Sequence, residues 1–124
     1  LAVLFWVAGF DIIYACQDVD FDRQARLRSV PAWFGVVGAL RLAFLCHVAM
    51  LAMLTWLYFV AAPPLGLVYL AGVGSVALLI LYEHALVKPT DLSRVNQAFF
   101  HVNVLISLGL LAVLVVEICL RART

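Results

Sequence analysis

Long apolar runs alternate with short polar segments along the whole chain. The runs cover about residues 1–17, 32–61, 65–87 and 95–120. The longest stretch without Asp, Glu, Lys or Arg lies between Arg41 and Glu83. Because about 20 predominantly apolar residues suffice for a helix to cross the hydrocarbon core of a bilayer, this stretch alone accommodates two spans. The pattern therefore predicts an all-α, polytopic transmembrane helix bundle with about four spans.

The composition agrees with a membrane location. Hydrophobic residues occupy 67% of the 124 positions and charged residues 12%, whereas a soluble domain has roughly 45–50% and 25%. The formal net charge is +1, so a nucleic-acid surface is not indicated, and membrane lipid is the expected partner. The chain opens at Leu1 inside an apolar run that lacks the basic start of a signal peptide. We interpret it as a fragment whose upstream part is missing.

The two polar segments, residues 18–31 and 88–94, are expected at the same membrane face, because consecutive spans alternate direction. Pro63 and Pro64 interrupt the second apolar run, and their turn is expected at the opposite face together with the C-terminal tail. The first face holds more basic residues than the second: Arg23, Arg26, Arg28, Lys88 and Arg94 against Arg121 and Arg123. By the positive-inside bias, the polar segments face the cytoplasm.

Four polar side chains follow one another at helical spacing where the first apolar run ends. They are Asp11, Tyr14, Asp18 and Asp22. Residues three and four apart share one face if the helix continues through them, and Asp20 then points elsewhere. Carboxylates on one stripe repel one another unless a cation lies among them, and Mg²⁺ prefers such oxygen ligands, completed by water and substrate phosphate. Asp11 lies within the apolar run, where an ionisable residue indicates a functional site.

Basic residues surround the same membrane face. They are Arg23, Arg26, Arg28, Arg41, Lys88 and Arg94. Guanidinium and ammonium groups contact phosphate oxygens, and arginine does so in bidentate geometry. Carboxylates, a divalent cation and basic residues together indicate a site for a diphosphate that remains attached to a membrane-soluble tail.

Four other interpretations of the acidic segment compete with a diphosphate site. A solvated turn in which Asp22 merely pairs with Arg26 is the plain structural alternative. A calcium-binding EF-hand loop is excluded, because Arg23 stands where the loop needs Gly and Ser29 where it needs Glu. A CDP-alcohol phosphotransferase would need further aspartates before Asp91. A non-enzymatic cation-binding or transporter bundle remains open, with the acidic residues forming a cation path.

Further polar residues lie within the spans. The histidines His47, His84 and His101 have no mutual metal-ligand spacing, so packing or an interhelical hydrogen bond is favoured over metal binding. Asn96, Asn103 and Ser107 are seven and four residues apart. Such spacing places them on one face, where they serve either helix packing or contact with an acceptor substrate. Gly35 and Gly38 are expected to allow close helix approach.

Two runs of residues resemble a known family. One is Asp11-x-x-Tyr14-Ala-x-x-Asp18-x-x-x-Asp22, followed by Leu27-Arg28-Ser29-Val30-Pro31-x-x-Phe34-Gly35. This run resembles the second aspartate-rich motif of the UbiA family of intramembrane prenyltransferases. The run Asn96-Gln-Ala-Phe99-Phe100-x-x-Asn103 resembles the start of the last helix in the quinone-biosynthesis branch of that family. The resemblance covers essentially the whole chain, with one departure: Arg26 stands where relatives commonly have Gly.

The resemblance implies both a fold and an activity. Residues 1–124 would be the C-terminal four helices of a nine-helix domain, in a bacterial inner membrane. The domain would transfer a polyprenyl group from polyprenyl diphosphate to an aromatic acid such as 4-hydroxybenzoate, in ubiquinone or menaquinone biosynthesis. The family's other aspartate-rich motif is absent from these residues, so the chain alone would be inactive.

The resemblance also assigns roles to individual residues. Asp18 and Asp22 would bind the diphosphate through Mg²⁺, with Asp11 and Tyr14 as further catalytic residues. The diphosphate-binding residues would be Arg23, Arg28, Lys88 and Arg94. The acceptor would contact Asn96 and Asn103.

Overall fold

The computed structural model describes residues 1–62 and 64–122, which form helices and no strand. Of these described residues, 83% are helical, which confirms the predicted all-α class. In chain order the elements are α1 (Ala2–Ala15), a 3₁₀ turn (Cys16–Asp18), α2 (Val19–Gln24), α3 (Val30–Val60), α4 (Leu67–Leu86), α5 (Val95–Gln97), a π-helical turn (Ala98–Val102) and α6 (Asn103–Arg121).

Four helical segments are long and apolar enough to cross a membrane. They are Ala2–Gln24, Val30–Val60, Leu67–Leu86 and Val95–Arg121. The bundle buries no more than 28% of the most apolar window of any of them, so most of their apolar surface is available to lipid. The chain is therefore part of an integral membrane protein. The first span continues past residue 17, where the apolar run ends, because the helix carries on through the acidic segment.

The two polar segments lie at one end of the bundle, as predicted. A buried cluster joins the end of the first span, the start of α3, the end of α4 and the start of the fourth span; it includes Cys16, Ala39, Val87, Val95 and Ala98. Each polar segment adjoins this cluster in sequence, which places both at the same end. We name it the polar end of the bundle.

The opposite end is held together by Glu117. Its carboxylate accepts a hydrogen bond of 2.5 Å from the backbone N–H of Gly66, the residue that begins α4. The same carboxylate forms an ion pair of 3.1 Å with Arg121, which also donates to the carbonyl of Pro64. The turn before α4 and the end of α6 are thus joined at this end, whereas the predicted roles of Pro63 and Arg123 lie outside the described residues.

Helix α3 is kinked at Gly35. This glycine has φ 70° and ψ 166°, a combination that is essentially restricted to glycine. The prediction that Gly35 permits close helix approach is wrong, because an added Cβ would meet nothing within 4 Å. At Gly38 the nearest atom to such a Cβ is Cβ of Phe34 in the same helix, at 2.9 Å. Gly35 therefore redirects the first turn of α3 and does not serve packing.

Substitution of Gly35 separates the backbone effect from packing. We expect Gly35→Ala to lower the free energy of unfolding by about 1–3 kcal/mol, the usual cost of a strained backbone conformation. Gly74→Ala is the matched control, since Gly74 lies inside α4 and also has open space at its Cβ. Alanine there should be neutral or stabilise by up to about 1 kcal/mol. Thermal unfolding of the purified protein in detergent measures both, and equal effects would contradict the assignment.

Candidate functional site at the polar end

The acidic segment is not one regular helix. After α1, the chain forms a 3₁₀ turn over Cys16–Asp18 and then resumes as α2. A 3₁₀ turn contains fewer residues than an α-helical turn, so residues after it are rotated relative to a continuous helix. Asp11, Tyr14 and Asp18 are exposed, whereas Asp22 is buried with 9% exposure. The structure therefore sets Asp22 apart from the exposed stripe on which regular spacing places it.

Asp22 is buried without a partner in the described part of the chain. Its carboxylate makes no hydrogen bond, and the ion pairs of residues 1–62 and 64–122 lie elsewhere, at His47–Glu83 and Glu117–Arg121. The plain alternative, in which Asp22 pairs with Arg26, is not formed. The carboxylate oxygens are not among the fully buried atoms that lack a partner, so they keep contact with solvent and are open to a hydrated cation such as Mg²⁺.

The turn after α2 explains the departure at Arg26. The backbone N–H of Leu27 donates to the carbonyl of Asp22 at 2.8 Å, and that of Arg26 donates to Arg23 at 3.2 Å. This is the Schellman arrangement, which needs a left-handed residue after the helix. Arg26 is that residue, with φ 55°. The glycine that relatives commonly carry there suits this conformation.

Helix α3 then begins with a side-chain N-cap. Ser29 is the N-cap residue, and its hydroxyl accepts a hydrogen bond of 3.3 Å from the N–H of Ala32. Pro31 occupies the first turn, where its missing N–H costs nothing. Arg28 and Ser29 line a cavity of about 280 Å³ together with Val30, Trp33 and Phe34. Arg28 directly precedes this cap and is exposed at the polar end, six residues after Asp22.

The second basic segment carries Lys88 and Arg94 around a small depression of about 180 Å³, which Asp91 also lines. Backbone bonds of 3.3 and 3.0 Å join Lys88 and Asp91. Hydrogen bonding to Ser93 holds the pKa of the Asp91 carboxyl below its usual value, with a smaller contribution from Arg94 and Lys88. Asp91 is therefore ionised at neutral pH and offsets part of the positive charge of this segment.

The start of the fourth span packs beside the acidic segment. The side-chain amide of Gln17 donates to Oδ1 of Asn96 at 3.3 Å, and the rings of Tyr14 and Phe99 lie 4.8 Å apart. Asn96 therefore lies beside the acidic segment.

Asn103, unlike Asn96, does not lie beside the acidic segment. The π-helical turn Ala98–Val102 lies between the two asparagines, and such a turn closes over five residues where an α-helical turn closes over four. Asn103 and Ser107 line a separate cavity of about 230 Å³. The predicted common face therefore holds for Asn103 and Ser107 but excludes Asn96.

Two buried carboxylates were not found from the sequence: Glu83 and Glu117, 0% and 5% exposed. The signal that could have found them is the one used for Asp11, an ionisable residue inside an apolar run. The predicted interhelical hydrogen bond is confirmed for two histidines, since Nδ1 of His47 lies 3.1 Å from Nε2 of His84. The ring of His101 instead bonds the Gln97 carbonyl in its own helix.

The fold and the polar end define an intramembrane helical protein that concentrates carboxylates and basic residues at one face. The chain belongs to the UbiA prenyltransferase family, whose sequence model matches residues 1–105. It is similar to proteins named 4-hydroxybenzoate octaprenyltransferase from Methylobacillus flagellatus (32% identity over 103 residues, 83% of this chain), Nitrosospira multiformis (33% over 105, 82% of this chain) and Burkholderia mallei (34% over 102, 82% of this chain). The chain spans about 34% of the length of each of these relatives. No solved structure matches it significantly.

The left-handed conformation of Arg26 can be tested by substitution. We expect Arg26→Gly to raise the free energy of unfolding by roughly 1 kcal/mol, because a side chain in the left-handed region costs about 1–2 kcal/mol. Arg23→Gly is the matched control. Arg23 lies inside α2, where glycine should destabilise by about 1 kcal/mol. The two variants should shift thermal unfolding in opposite directions, and a destabilising Arg26→Gly would argue against the turn described.

Proposed function

We propose that the chain is the C-terminal part of a Mg²⁺-dependent enzyme of the bacterial inner membrane. The enzyme transfers a polyprenyl group from polyprenyl diphosphate to an aromatic acid such as 4-hydroxybenzoate, in ubiquinone or menaquinone biosynthesis. The names of the similar proteins support the reaction class. The structural observation that carries the proposal is Asp22, a largely covered residue in a basic segment whose carboxylate forms no hydrogen bond or ion pair in the described part of the chain.

The donor set fits Mg²⁺. Asp18 and Asp22 supply carboxylate oxygens, the ligands that this ion prefers, and it usually keeps its remaining positions for water and substrate phosphate. Asp18 is exposed while Asp22 is buried, so one ligand is open to an arriving substrate and the other is fixed by the protein. When bound, the ion neutralises the charge that develops on the departing diphosphate.

Basic residues complete the diphosphate site. Arg23, Arg28, Lys88 and Arg94 are all exposed at the polar end. None of these four forms an ion pair with another described residue, so their charges are available to phosphate oxygens. Cationic groups held in place stabilise the leaving group as the bond from carbon to diphosphate oxygen breaks.

The remaining site residues face the reacting carbon and the acceptor. Asp11 and Tyr14 precede the metal ligands Asp18 and Asp22 in the first span. They therefore lie closer to the membrane interior. Asn96, which Gln17 contacts, binds the aromatic acid, whereas Asn103, predicted as a second acceptor contact, lines a separate cavity with Ser107. A carbon–carbon bond then forms between the prenyl group and the ring, and the ring loses a proton. The apolar outer faces of the spans accommodate the isoprenoid tail.

The aspartate assignment predicts a graded effect in the full-length enzyme. Asp18→Ala and Asp22→Ala should each reduce prenyl transfer by at least about 100-fold, equivalent to roughly 3 kcal/mol of transition-state stabilisation. Asp20→Ala is the matched control and should keep most of the activity. The measurement is labelled product from polyprenyl diphosphate and 4-hydroxybenzoate at varied Mg²⁺ concentration. Parental turnover in the Asp18 and Asp22 variants with a dead Asp20 variant would refute the assignment.

The same experiment separates the enzyme from the alternative, a non-enzymatic cation-binding or transporter bundle. An enzyme needs the aspartates together with diphosphate, whereas a cation-binding bundle would bind the cation without it. We further propose that the present chain is inactive without the rest of the protein, because it covers only about 34% of the length of its relatives.

The orientation of the bundle gives a separate prediction. With the native cysteines replaced, Gln24→Cys and Thr90→Cys should react with a membrane-impermeant maleimide only when the cytoplasmic face of the membrane is accessible. Ala62→Cys, near the opposite end, is the control and should react only from the outer face. All three positions are exposed. Labelling of residues 24 and 90 from opposite faces would contradict the four-span arrangement.

A further inference from the structure

A second polar cluster lies inside the bundle, away from the polar end. His47 comes from α3, whereas Glu83 and His84 come from α4. Nδ1 of His47 lies 3.1 Å from Nε2 of His84 and 3.6 Å from Oε2 of Glu83. With one ligand atom from each residue, all three atoms lie within 4.8 Å of one another. In the described part of the chain, this is the one group of three or more such side chains.

The cluster is buried and its polar atoms are not satisfied. His47 and Glu83 are both 0% exposed. Neither carboxylate oxygen of Glu83 has a hydrogen-bond partner, and neither does Nε2 of His47. The surroundings are apolar: the ring of Phe10 lies 5.0 Å from that of His47, and the ring of Phe44 lies 5.2 Å from that of His84. A buried carboxylate in such surroundings needs a counter-charge.

Hydrogen bonding within the cluster does not supply what is missing. One of the two facing histidine nitrogens can donate to the other, which accounts for the 3.1 Å separation. That bond leaves both oxygens of Glu83 without a donor. A single cation at the centre would instead receive one lone pair from each of the three residues.

We propose that His47, Glu83 and His84 bind a divalent transition-metal ion of the zinc type inside the membrane bundle. Metal–ligand bonds of about 2.0–2.2 Å place neighbouring ligands of a tetrahedral site roughly 3.3–3.6 Å apart. The separations of 3.1 and 3.6 Å are close to this spacing, whereas the limit of 4.8 Å that covers all three pairs is wider, so the side chains of Glu83 and His84 would draw closer around a bound ion. The three protein ligands leave a fourth position for water or another small ligand.

The donor set selects the metal class. Two imidazoles and one carboxylate suit zinc and neighbouring transition metals, whereas Mg²⁺ and Ca²⁺ favour sites made of oxygen alone. The site is also separate from the aspartates. Phe10, which contacts His47, precedes Asp22 by twelve residues, which is roughly 18 Å along a helix.

Helix packing holds the His47 ring in place, and a cavity gives access to the cluster. The His47 ring fits directly against Gly9 of α1, where any side chain would overlap it. His84 lines a cavity of about 520 Å³ whose wall includes Arg41, Val87 and Pro89. Val87 and Pro89 border the polar segment 88–94, so the cavity connects the cluster with the polar end. A metal ion bound here would join α3 to α4 and hold His47 against α1.

The test uses the full-length protein, purified in detergent, stripped with a chelator and titrated with Co²⁺. We expect binding of one equivalent with the visible absorption of four-coordinate Co²⁺, displacement by Zn²⁺, and a higher Tm in the presence of Zn²⁺. Glu83→Gln and His84→Gln preserve side-chain size and should each weaken binding by more than 100-fold, beyond the roughly 10–100-fold that loss of an outer partner causes.

One control separates this site from the rest of the protein. His101→Gln removes an exposed histidine that bonds only its own helix. This variant should bind Co²⁺ as the parent does. The proposal is overturned if the parent shows no stoichiometric four-coordinate spectrum, or if Glu83→Gln binds like the parent. The readout is metal binding alone, so the result stands apart from the proposed prenyl transfer.

Discussion

The membrane interior contains no water to satisfy a buried polar atom, and this constraint accounts for where the buried carboxylates of the chain lie. Glu117 meets it within the protein, because its carboxylate accepts from the Gly66 N–H and pairs with Arg121. That N–H, at the start of a helix, would otherwise lack a partner. Glu83 is fully buried, and neither of its carboxylate oxygens has a hydrogen-bond partner in the described part of the chain. Asp22 is 9% exposed and also forms no side-chain hydrogen bond there, but its oxygens keep contact with solvent. In the two sites proposed above, a cation would provide for each carboxylate what Arg121 provides for Glu117.

The carboxylates of Asp22 and Glu83 have different surroundings, and these surroundings suit different ions. Asp22 lies at the polar end with exposed carboxylates and arginines nearby, so a hydrated ion that carries substrate phosphate fits there. Glu83 lies among aromatic rings with two imidazole nitrogens, so a more firmly held ion with nitrogen ligands fits there. The proposed Mg²⁺ site would be open to a substrate that must arrive and leave. The proposed site at Glu83 would have three protein ligands and a fourth position for water or another small ligand.

Much of the fold could be predicted because the apolar runs are long and the charges between them few. The number of spans, the helical class and the shared end of the two polar segments all follow from that pattern. What the pattern could not supply is local rotation. Regular helical spacing places Asp22 with Asp18 and Asn96 with Asn103, but one 3₁₀ turn and one π-helical turn change these relations. Such turns depend on how neighbouring helices pack, which the spacing of residues in one helix does not contain.

The cluster of His47, Glu83 and His84 shows a second limit. Its members come from two spans, and no spacing within one span indicates which faces of two helices meet. Glu83 alone was detectable, because an ionisable residue in an apolar run carries the same signal as Asp11. That signal identifies a residue that needs a partner, whereas the identity of the partner requires the packed structure.

The turn between α2 and α3 shows how backbone geometry and charge compete at the polar end. Two residues in or near this turn have a positive φ: Gly35, inside α3, and Arg26, two residues after the end of α2. Glycine adopts a positive φ without strain, whereas arginine does not. Arginine at the second position keeps a guanidinium group within four residues of Asp22, in a segment whose other cations are proposed to contact diphosphate. Backbone strain retained next to a functional site is expected where the side chain contributes something that glycine cannot. Under the function proposed above, that contribution would be positive charge near the diphosphate, from a residue whose backbone position is held by the two hydrogen bonds of the Schellman turn.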